Sequence, residues 1–283
     1  MGDGGVNPWS ADRAGDLHRL VTAALPDERL TADELSAVVW DDPGLVVGFD
    51  DGLGAAAAVV RRYGELAMGH VRLLAVDPEQ RRQGRGQTLL DAVEVWFHEQ
   101  GVDLAVWGGE APTYLWPGVD ARWLGAQCLA EAAGYVVFGS EVNMSLPSSF
   151  RAAPPEGVVR RRVVSDDDAA AVRAFVAEHW PPWSVEVDAA IEAASIHAAF
   201  VDDQPVGFCC HSVWRIGWLG PMATLRTHRG SGVGAALVAA VAKDLQVAGR
   251  SDVEIAWVGP VRFYAKLGAD VSRVFRTYQK TLR

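Results

Sequence analysis

The sequence predicts an α/β layered chain built from two like units, and two observations carry that expectation. The motif Arg-x-x-Gly-x-Gly occurs at residues 81–86 and again at residues 229–234. Gly84 and Gly232 stand 148 positions apart (232 − 84), about half of the 283 residues. Each copy follows an apolar, strand-like run and opens an Ala/Val/Leu-rich helical stretch, so a single unit present twice is the simplest account. Between the copies, Pro147 and the run Pro154-Pro155-Glu156-Gly157 interrupt regular structure and read as a linker. The expected division is 1–148, a linker at 149–157, and 158–283.

Taken in order, residues 17–35 read as helical, with a capping break at Thr31-Ala32-Asp33-Glu34. Residues 44–49 form an apolar strand before the turn Asp50-Asp51-Gly52. Residues 55–62 and 66–76 alternate as an antiparallel pair around Tyr63-Gly64. A helix at 87–100, a short strand at 104–107, a helix at 122–133 and a strand at 135–146 close the unit. The second unit repeats this order. A strand at 158–164 precedes Ser165-Asp166-Asp167-Asp168, a helix cap for residues 169–179. A helix at 185–194, strands at 196–201 and 205–214, and a strand at 216–224 lead to the second motif. Residues 235–247, 253–258, 261–267 and 271–282 complete the alternation. Strands and helices mixed in this way imply layered α/β domains.

The motif itself points to a bound phosphate. A helix N-terminus leaves backbone N–H groups unpaired and carries the positive end of the helix dipole. Glycines clear Cβ atoms from the approach to those amides, and the arginine adds charge. Two familiar alternatives fail. A nucleotide P-loop needs Lys-Ser/Thr after its last glycine, but Gln87-Thr88 and Ala235-Ala236 stand there. A dinucleotide fingerprint needs a third glycine, where this chain has Leu89 and Leu237.

Val76-Asp77-Pro78 followed by Arg81-x-x-Gly84-x-Gly86 and Leu89-Leu90 resembles the coenzyme A loop of the GNAT N-acetyltransferase superfamily. The second copy resembles it too, with Thr224-Leu225-Arg226 in place of the usual Val-x-Pro entry. The resemblance covers nearly the whole chain as two tandem units. In plan it is similar to mycothiol synthases and bacterial glucosamine N-acetyltransferases. It implies a mixed, largely antiparallel sheet flanked by helices in each unit, and acetyl-CoA as co-substrate with no metal. It assigns coenzyme contacts to Met222, Ala223, Thr224, Arg229, Gly230, Gly232, Val233, Gly234 and Ala235. In the first unit the matching positions are Ala75, Val76, Arg81, Gly84 and Gly86.

Phe263-Tyr264-Ala265-Lys266-Leu267-Gly268 resembles the family helix whose tyrosine protonates the departing thiolate, which assigns that role to Tyr264. Counting back from Gly134, Ala130 stands at the equivalent position of the first unit and has no proton to give. The C-terminal unit is therefore expected to be catalytic and the N-terminal unit silent. The strand Gly220-Pro221-Met222-Ala223-Thr224 is expected to orient the thioester and stabilise its oxyanion through backbone amides. For the general base the sequence offers Glu254, His211 and His179 on equal terms, with Glu254 as the catalytic candidate. A route through an acyl-cysteine at Cys209 or Cys210 is disfavoured, since apolar neighbours mark both as core residues.

The halves differ in length. Gly84 to Gly134 spans 50 residues and Gly232 to Gly268 spans 36, which leaves 14 extra in the first unit, around residues 109–120. Tyr114, Trp116 and Asp120 in that insertion, with His179, are the expected acceptor contacts. Trp257-Val258-Gly259-Pro260 points toward an amino sugar or another small amine. The alternative function is a non-catalytic acyl-CoA sensor or partner-binding module.

A net charge of −10 and a pI near 5.2 argue against nucleic acid and suit a cationic amine. No apolar run approaches the roughly 20 residues that span a bilayer, and the first residues lack the blocks of a secretion signal. Cys128, Cys209 and Cys210 do not make a disulfide framework or a zinc site. The expectation is a cytoplasmic monomer or homodimer acting on a small-molecule amine, without nucleic acid or membrane partners.

Overall fold

A computed structural model of the chain describes residues 5–42, 44–110 and 113–282. Ala111 and Pro112 of the insertion, and residues 1–4 of the stretch without secretion-signal blocks, lie outside the described residues. The elements in chain order are β1 (Val6–Pro8), α1 (Ala14–Ala24), α2 (Ala32–Val39), β2 (Leu45–Phe49), β3 (Gly54–Tyr63) and β4 (Leu66–Val76). Then come α3 (Arg85–Glu99), β5 (Leu104–Trp107), β6 (Val119–Asp120), α4 (Leu124–Ala132) and β7 (Val136–Pro147). The second half holds β8 (Val159–Arg162), α5 (Asp166–His179), α6 (Ser184–Glu192), β9 (Ile196–Val201) and β10 (Gln204–His211). It ends with β11 (Trp218–Thr224), α7 (Val233–Val247), β12 (Asp252–Ile255), α8 (Val261–Lys266) and β13 (Asp270–Thr281).

Local chemistry sets most of these boundaries. Thr31 caps α2 through a full capping box: its hydroxyl accepts from Glu34 N at 3.1 Å, and the Glu34 carboxylate accepts from Thr31 N at 2.7 Å. That cap divides the long helix expected at 17–35 into α1 and α2. Ser165 caps α5 by accepting from Asp168 N, where the sequence placed a cap. The strands β1 and β6 were not expected, since three and two residues are too few for a periodic signal. β10 stops at His211, short of the expected Trp214.

The chain folds into two compact units, one of residues 1–141 with 274–283 and one of residues 142–273. This differs from a cut in the linker. In unit 1, β1 to β4 pair antiparallel, β4 pairs parallel with β5, and β5 pairs antiparallel with residues 278–281 of β13. In unit 2, β8 to β11 pair antiparallel, β11 pairs parallel with β12, and β12 pairs antiparallel with residues 144–147 of β7. Each sheet thus takes its last strand from the other half of the sequence. The two copies present equivalent sheet edges, so strand periodicity alone does not say which edge a terminal strand joins.

The cores follow the same plan. In unit 1, Leu89, Leu90, Val93 and Phe97 of α3 pack into one face of the sheet, while Leu17, Leu20, Leu35 and Val38 of α1 and α2 pack into another cluster. In unit 2, Leu237, Val241 and Leu245 of α7 join Cys209, Leu219 and Tyr264, while α5 and α6 cover Phe208, Cys210 and Ala223. Cys209 and Cys210 are neighbours on β10, so their side chains point to opposite faces. Each fully buried Leu or Phe is worth about 1.5–3 kcal/mol, so both helix layers hold firmly to the sheets. Among the described residues no helix is long and apolar enough to cross a membrane.

Candidate active site

The two glycine loops have the same backbone. A 3-10 turn at Pro78–Gln80 leads to Arg81 in extended geometry (φ −69°, ψ 161°), then left-handed Arg82 and Gly84, then α3. A 3-10 turn at Arg226–His228 leads to Arg229 (φ −69°, ψ 144°), then left-handed Gly230 and Gly232, then α7. The first intrahelical bonds run from Thr88 N to Gly84 O and from Ala236 N to Gly232 O, both 3.0 Å. The amides of residues 85–87 and 233–235 precede them and crown the helix as an anion site.

The glycines divide the work differently from the sequence expectation. Gly84 and Gly232 sit at φ +84° and +103° with nothing within 4 Å of a Cβ, so they provide both the left-handed turn and the open approach. Gly86 and Gly234 serve packing instead. A Cβ on Gly234 would stand 3.0 Å from Phe263 Cζ and 3.6 Å from Met222 Cε. A Cβ on Gly86 would stand 3.2 Å from Leu129. Each second glycine therefore lets a late helix, α4 or α8, close on the helix that carries the loop. The arginines brace the loops: Arg81 Nε donates to Val76 O and Arg229 Nε to Thr224 O, both at 3.2 Å. Arg81 Nη2 also donates to Ala24 O at 2.8 Å.

The strands entering the loops are bulged at equivalent positions. In unit 1, Ala57 pairs with Leu73 and Ala58 with Val71, which leaves Arg72 as the extra residue. In unit 2, Cys209 pairs with Met222 and His211 with Leu219, so Cys210 alone opposes Gly220 and Pro221. Beyond the bulges the parallel partners part. β4 meets β5 only up to Val71 and Trp107, and β11 meets β12 only at Trp218–Glu254 and Leu219–Ile255. The edge of β4 beyond Val71 faces a cleft that an extended ligand can enter as a strand would, and the edge of β11 beyond Leu219 is likewise without a parallel partner. Pro221 has no N–H, so the amides that serve this edge come from its neighbours.

In unit 1 the cleft is a cavity of about 710 Å³, and all five expected residues, Ala75, Val76, Arg81, Gly84 and Gly86, line it. That volume falls within the range of small-molecule sites. The cavity reaches past Val71 to Trp107 and Trp116. At its bulge Arg72 is engaged by a buried cluster of charges. Its guanidinium donates to Glu110 Oε2 at 2.6 Å, to Val38 O at 3.0 Å and to Asp42. Arg61 also bonds Asp42 and Glu110. Beside this cluster, burial pushes the His70 imidazole down to about 4.

The insertion is built into unit 1. Trp116 is buried and donates from Nε1 to Glu28 Oε2 at 2.8 Å. The Asp120 carboxylate holds Arg122 in a bidentate pair at 3.0 and 2.8 Å, and β6 pairs with residues 275 and 276 of β13. Tyr114 is half-buried. Trp116 and Asp120 are thus occupied as parts of the unit 1 interior, a role that aromatic and acidic residue types alone did not disclose.

In unit 2, Tyr264 of α8 is 4% exposed and packs with Val233, Leu237 and Leu219, the elements that form the loop and the cleft. Its ring lies 4.8 Å from that of Phe263. Burial, and then the neighbouring Cys209, hold its phenol well above the ordinary tyrosine value. The group therefore stays protonated and can serve only as a donor. Burial raises the Cys209 thiol in the same way. Burial raises the Cys210 thiol too, and both cysteines remain thiols.

The expected bases are separated. Glu254 is half-buried on β12 and accepts from Asn143 Nδ2 at 2.6 Å, while Asn143 Oδ1 accepts from Trp257 N at 2.9 Å. His211 faces α7, 3.3 Å from Asp244, which also binds His197 at 2.5 Å and Arg162 at 2.6 Å. His179 ends α5 with its ring against Phe175 and Trp180. One acid escaped sequence reasoning: Glu186 of α6 is buried, because an acid in a helix's first turn ordinarily signals a solvated dipole partner. Among the described residues no group of three or more His, Cys, Asp or Glu side chains is placed to hold a metal.

Comparison with known proteins agrees with this geometry. Residues 15–112 match the profile of the acetyltransferase (GNAT) family and residues 192–268 that of the acetyltransferase (GNAT) domain. Among curated proteins, none matches the sequence significantly. Among solved structures, the chain is similar to the GCN5-related glucosamine N-acetyltransferase region of a fungal multi-domain GH3 β-N-acetylglucosaminidase. That match has 19% identity and a TM-score of 0.77 over 97% of this chain, but the chain spans only 38% of the fungal protein. A GCN5-related N-acetyltransferase from Sphaerobacter thermophilus matches at 20% identity and TM-score 0.70, covering 98% of this chain and 95% of that one. A tandem GNAT protein from the clavulanic acid biosynthesis pathway matches at 16% identity and TM-score 0.71, covering 98% of each. At these identities the likeness shows a shared fold.

Proposed function

From a chain that carries two domains of the GNAT acetyltransferase family, we infer an acetyl-CoA-dependent N-acetyltransferase whose chemistry belongs to unit 2. The observation that carries this reading is the meeting at Gly234. There the first turn of α7, Met222 of β11 and Phe263 of α8 come within van der Waals reach, with Tyr264 next in the chain. A coenzyme with its pyrophosphate on the amides of residues 233–235 and its pantetheine arm along residues 222–224 leads its thioester toward the bulge. Backbone donors of that edge orient the carbonyl and stabilise the oxyanion. Tyr264 protonates the leaving sulfur.

Unit 1 holds coenzyme A in its cavity without turning it over. Its loop geometry supports the binding; Ala130 at the tyrosine position and Arg72 at the bulge support the silence. The acceptor is a primary amine of a small molecule, and an amino sugar is favoured by Trp257-Val258-Gly259-Pro260 and by the fungal glucosamine N-acetyltransferase region. The acidic chain suits a cationic acceptor and no nucleic acid or membrane partner, in the cytoplasm, as monomer or homodimer. Thiol release from acetyl-CoA across a panel of primary amines tests the reading. Turnover with at least one amine is expected. Two coenzyme-binding events without thiol release on any amine would instead identify an acyl-CoA sensor.

A further inference from the structure

We propose that Glu186 is the general base of unit 2, the carboxylate that takes a proton from the acceptor's ammonium group. The assignment rests on the acetyltransferase reading above. Glu186 lies in the first turn of α6, where Val187 and Ala190 pack onto the sheet. Its side chain folds inward: the residue is 6% exposed, and Oε2 is sealed from solvent with no donor among the described residues. The surrounding cluster is apolar, built from Phe175, Val187, Phe208 and Cys210. A carboxylate in such a place is costly unless something pairs with it, and nothing in the fold of unit 2 does.

Cys210 fixes the carboxylate's level along the sheet. Ala190, one helical turn along α6 from Glu186, accepts from Ser195 N at 2.8 Å, and the next residue, Ile196, pairs with Cys210 across β9 and β10. Cys210 is also the residue that opposes Gly220 and Pro221 across the bulge. Glu186 therefore lies over the level at which β11 leaves β12, where the thioester carbonyl is expected. Ala223 of β11 belongs to the same cluster as Cys210, so base and cleft strand share one face. At the partly exposed edge of that cluster, Trp180 and Trp183 stack at 6.3 Å with 15° between their planes. Flat indole faces suit a cationic amine.

Other ionisable groups on the elements around α6 are engaged elsewhere. Arg173 of α5 pairs with Asp188 at 2.7 Å, and His179 lies beside Glu178. His197 of β9 and His211 of β10 turn to Asp244 on the opposite face. Burial alone pushes the Glu186 carboxyl up to about 7, near the working pH that suits a general base.

The proton balance closes. The ammonium gives one proton to Glu186, and the neutral nitrogen attacks the thioester carbonyl. As the C–S bond of the tetrahedral intermediate breaks, the sulfur takes the Tyr264 proton. The nitrogen's second proton returns to the tyrosine oxygen, and Glu186 releases its own to solvent.

The test compares wild type, Glu186→Gln and Glu186→Asp by thiol release on primary amines, glucosamine among them, from pH 5 to 9. Acetyl-CoA affinity by calorimetry and Tm at pH 8 accompany it. The Gln variant is expected to lose at least tenfold in kcat/KM together with the acidic limb near pH 7. Its acetyl-CoA affinity should be unchanged and its Tm higher, because a buried charge is gone. Asp should recover part of the rate. A Gln variant with the wild-type rate and limb overturns the assignment, and so does a rate loss that travels with a lower Tm. No thiol release by wild type on any amine rejects the acetyltransferase reading, and the base with it.

Discussion

Unit 1 and unit 2 keep the same glycine loop and differ in the side chains around the strand bulge and the late helix. Their loops share a 3-10 turn, an extended arginine that bonds the carbonyl five residues back, and two left-handed residues before a 15-residue helix. At the bulge, Arg72 in unit 1 stands where unit 2 has Gly220. Where unit 2 has Glu254 paired with Trp218, unit 1 has Val106 paired with His70. Where α8 carries Tyr264, α4 carries Ala130. Phosphate binding uses backbone amides and glycine, so it survives side-chain drift. Catalysis depends on single side chains, which one substitution can remove.

The largest effect should come from the loops. Gly232→Glu puts a charged side chain over the amides of α7 at a strained φ, and it should abolish turnover and one coenzyme-binding event in calorimetry. Gly84→Glu should remove the other binding event and leave turnover within a few-fold. The strain costs about 1–2 kcal/mol in either case, too little to unfold a unit. Loss of turnover in the Gly84 variant would break the assignment of silence to unit 1.

Tyr264→Phe removes only a hydroxyl. General acids contribute about 10²–10⁴-fold, so kcat should fall more than tenfold while acetyl-CoA affinity holds. Full activity in steady-state kinetics would mean that another group, or water, protonates the thiolate.

Arg72→Met addresses stability in unit 1. It leaves Glu110 buried with Arg61 as its remaining ion-pair partner among the described residues, and breaking a buried pair costs about 3–5 kcal/mol. Calorimetric unfolding should show unit 1 melting several degrees lower, with unit 2 and its turnover unchanged. An unaltered melt would mean that the charge cluster relaxes into water.

The smallest effect separates two buried titrating groups. Between pH 4.5 and about 7 the folded protein keeps a proton on Glu186 that the unfolded chain has released, so stability falls as pH rises through that window. Between pH 6.5 and about 4 the unfolded chain holds a proton that buried His70 lacks, so stability falls as pH drops. The Tm advantage of Glu186→Gln over wild type should therefore grow from pH 5 to pH 8. The cost of His70→Leu should shrink as the pH falls from 6.5 to 4. Parallel Tm curves at all pH values would show that neither group is buried in solution as it is here.

Much of this was legible in the sequence for reasons that act over a few residues. Thr31 and Glu34, or Ser165 ahead of three aspartates, announce a helix start because the cap bonds span three residues. Gly84 and Gly232 announce an open loop at a helix start because a residue without Cβ leaves the approach to the helix amides clear, as the empty space beside both shows. Trp116, Asp120 and Glu110 were harder. Their types suit a binding loop, and only their bonds to Glu28, Arg122, Arg61 and Arg72 reveal parts of a packed interior.

The sequence by itself determined that the chain has two like units, where most helices and strands lie, and that each unit has a glycine loop at the start of a helix. Those features depend on backbone preference and on the 2- and 3.6-residue periods, both written locally. Only the tertiary structure decided that β13 completes the sheet of unit 1 and β7 that of unit 2, since both edges are alike to a passing strand. It alone placed Arg72 among acids at one bulge and left glycine at the other. It alone turned Glu186 inward, because whether an acid on a helix meets water or a sheet is set by what packs beside it.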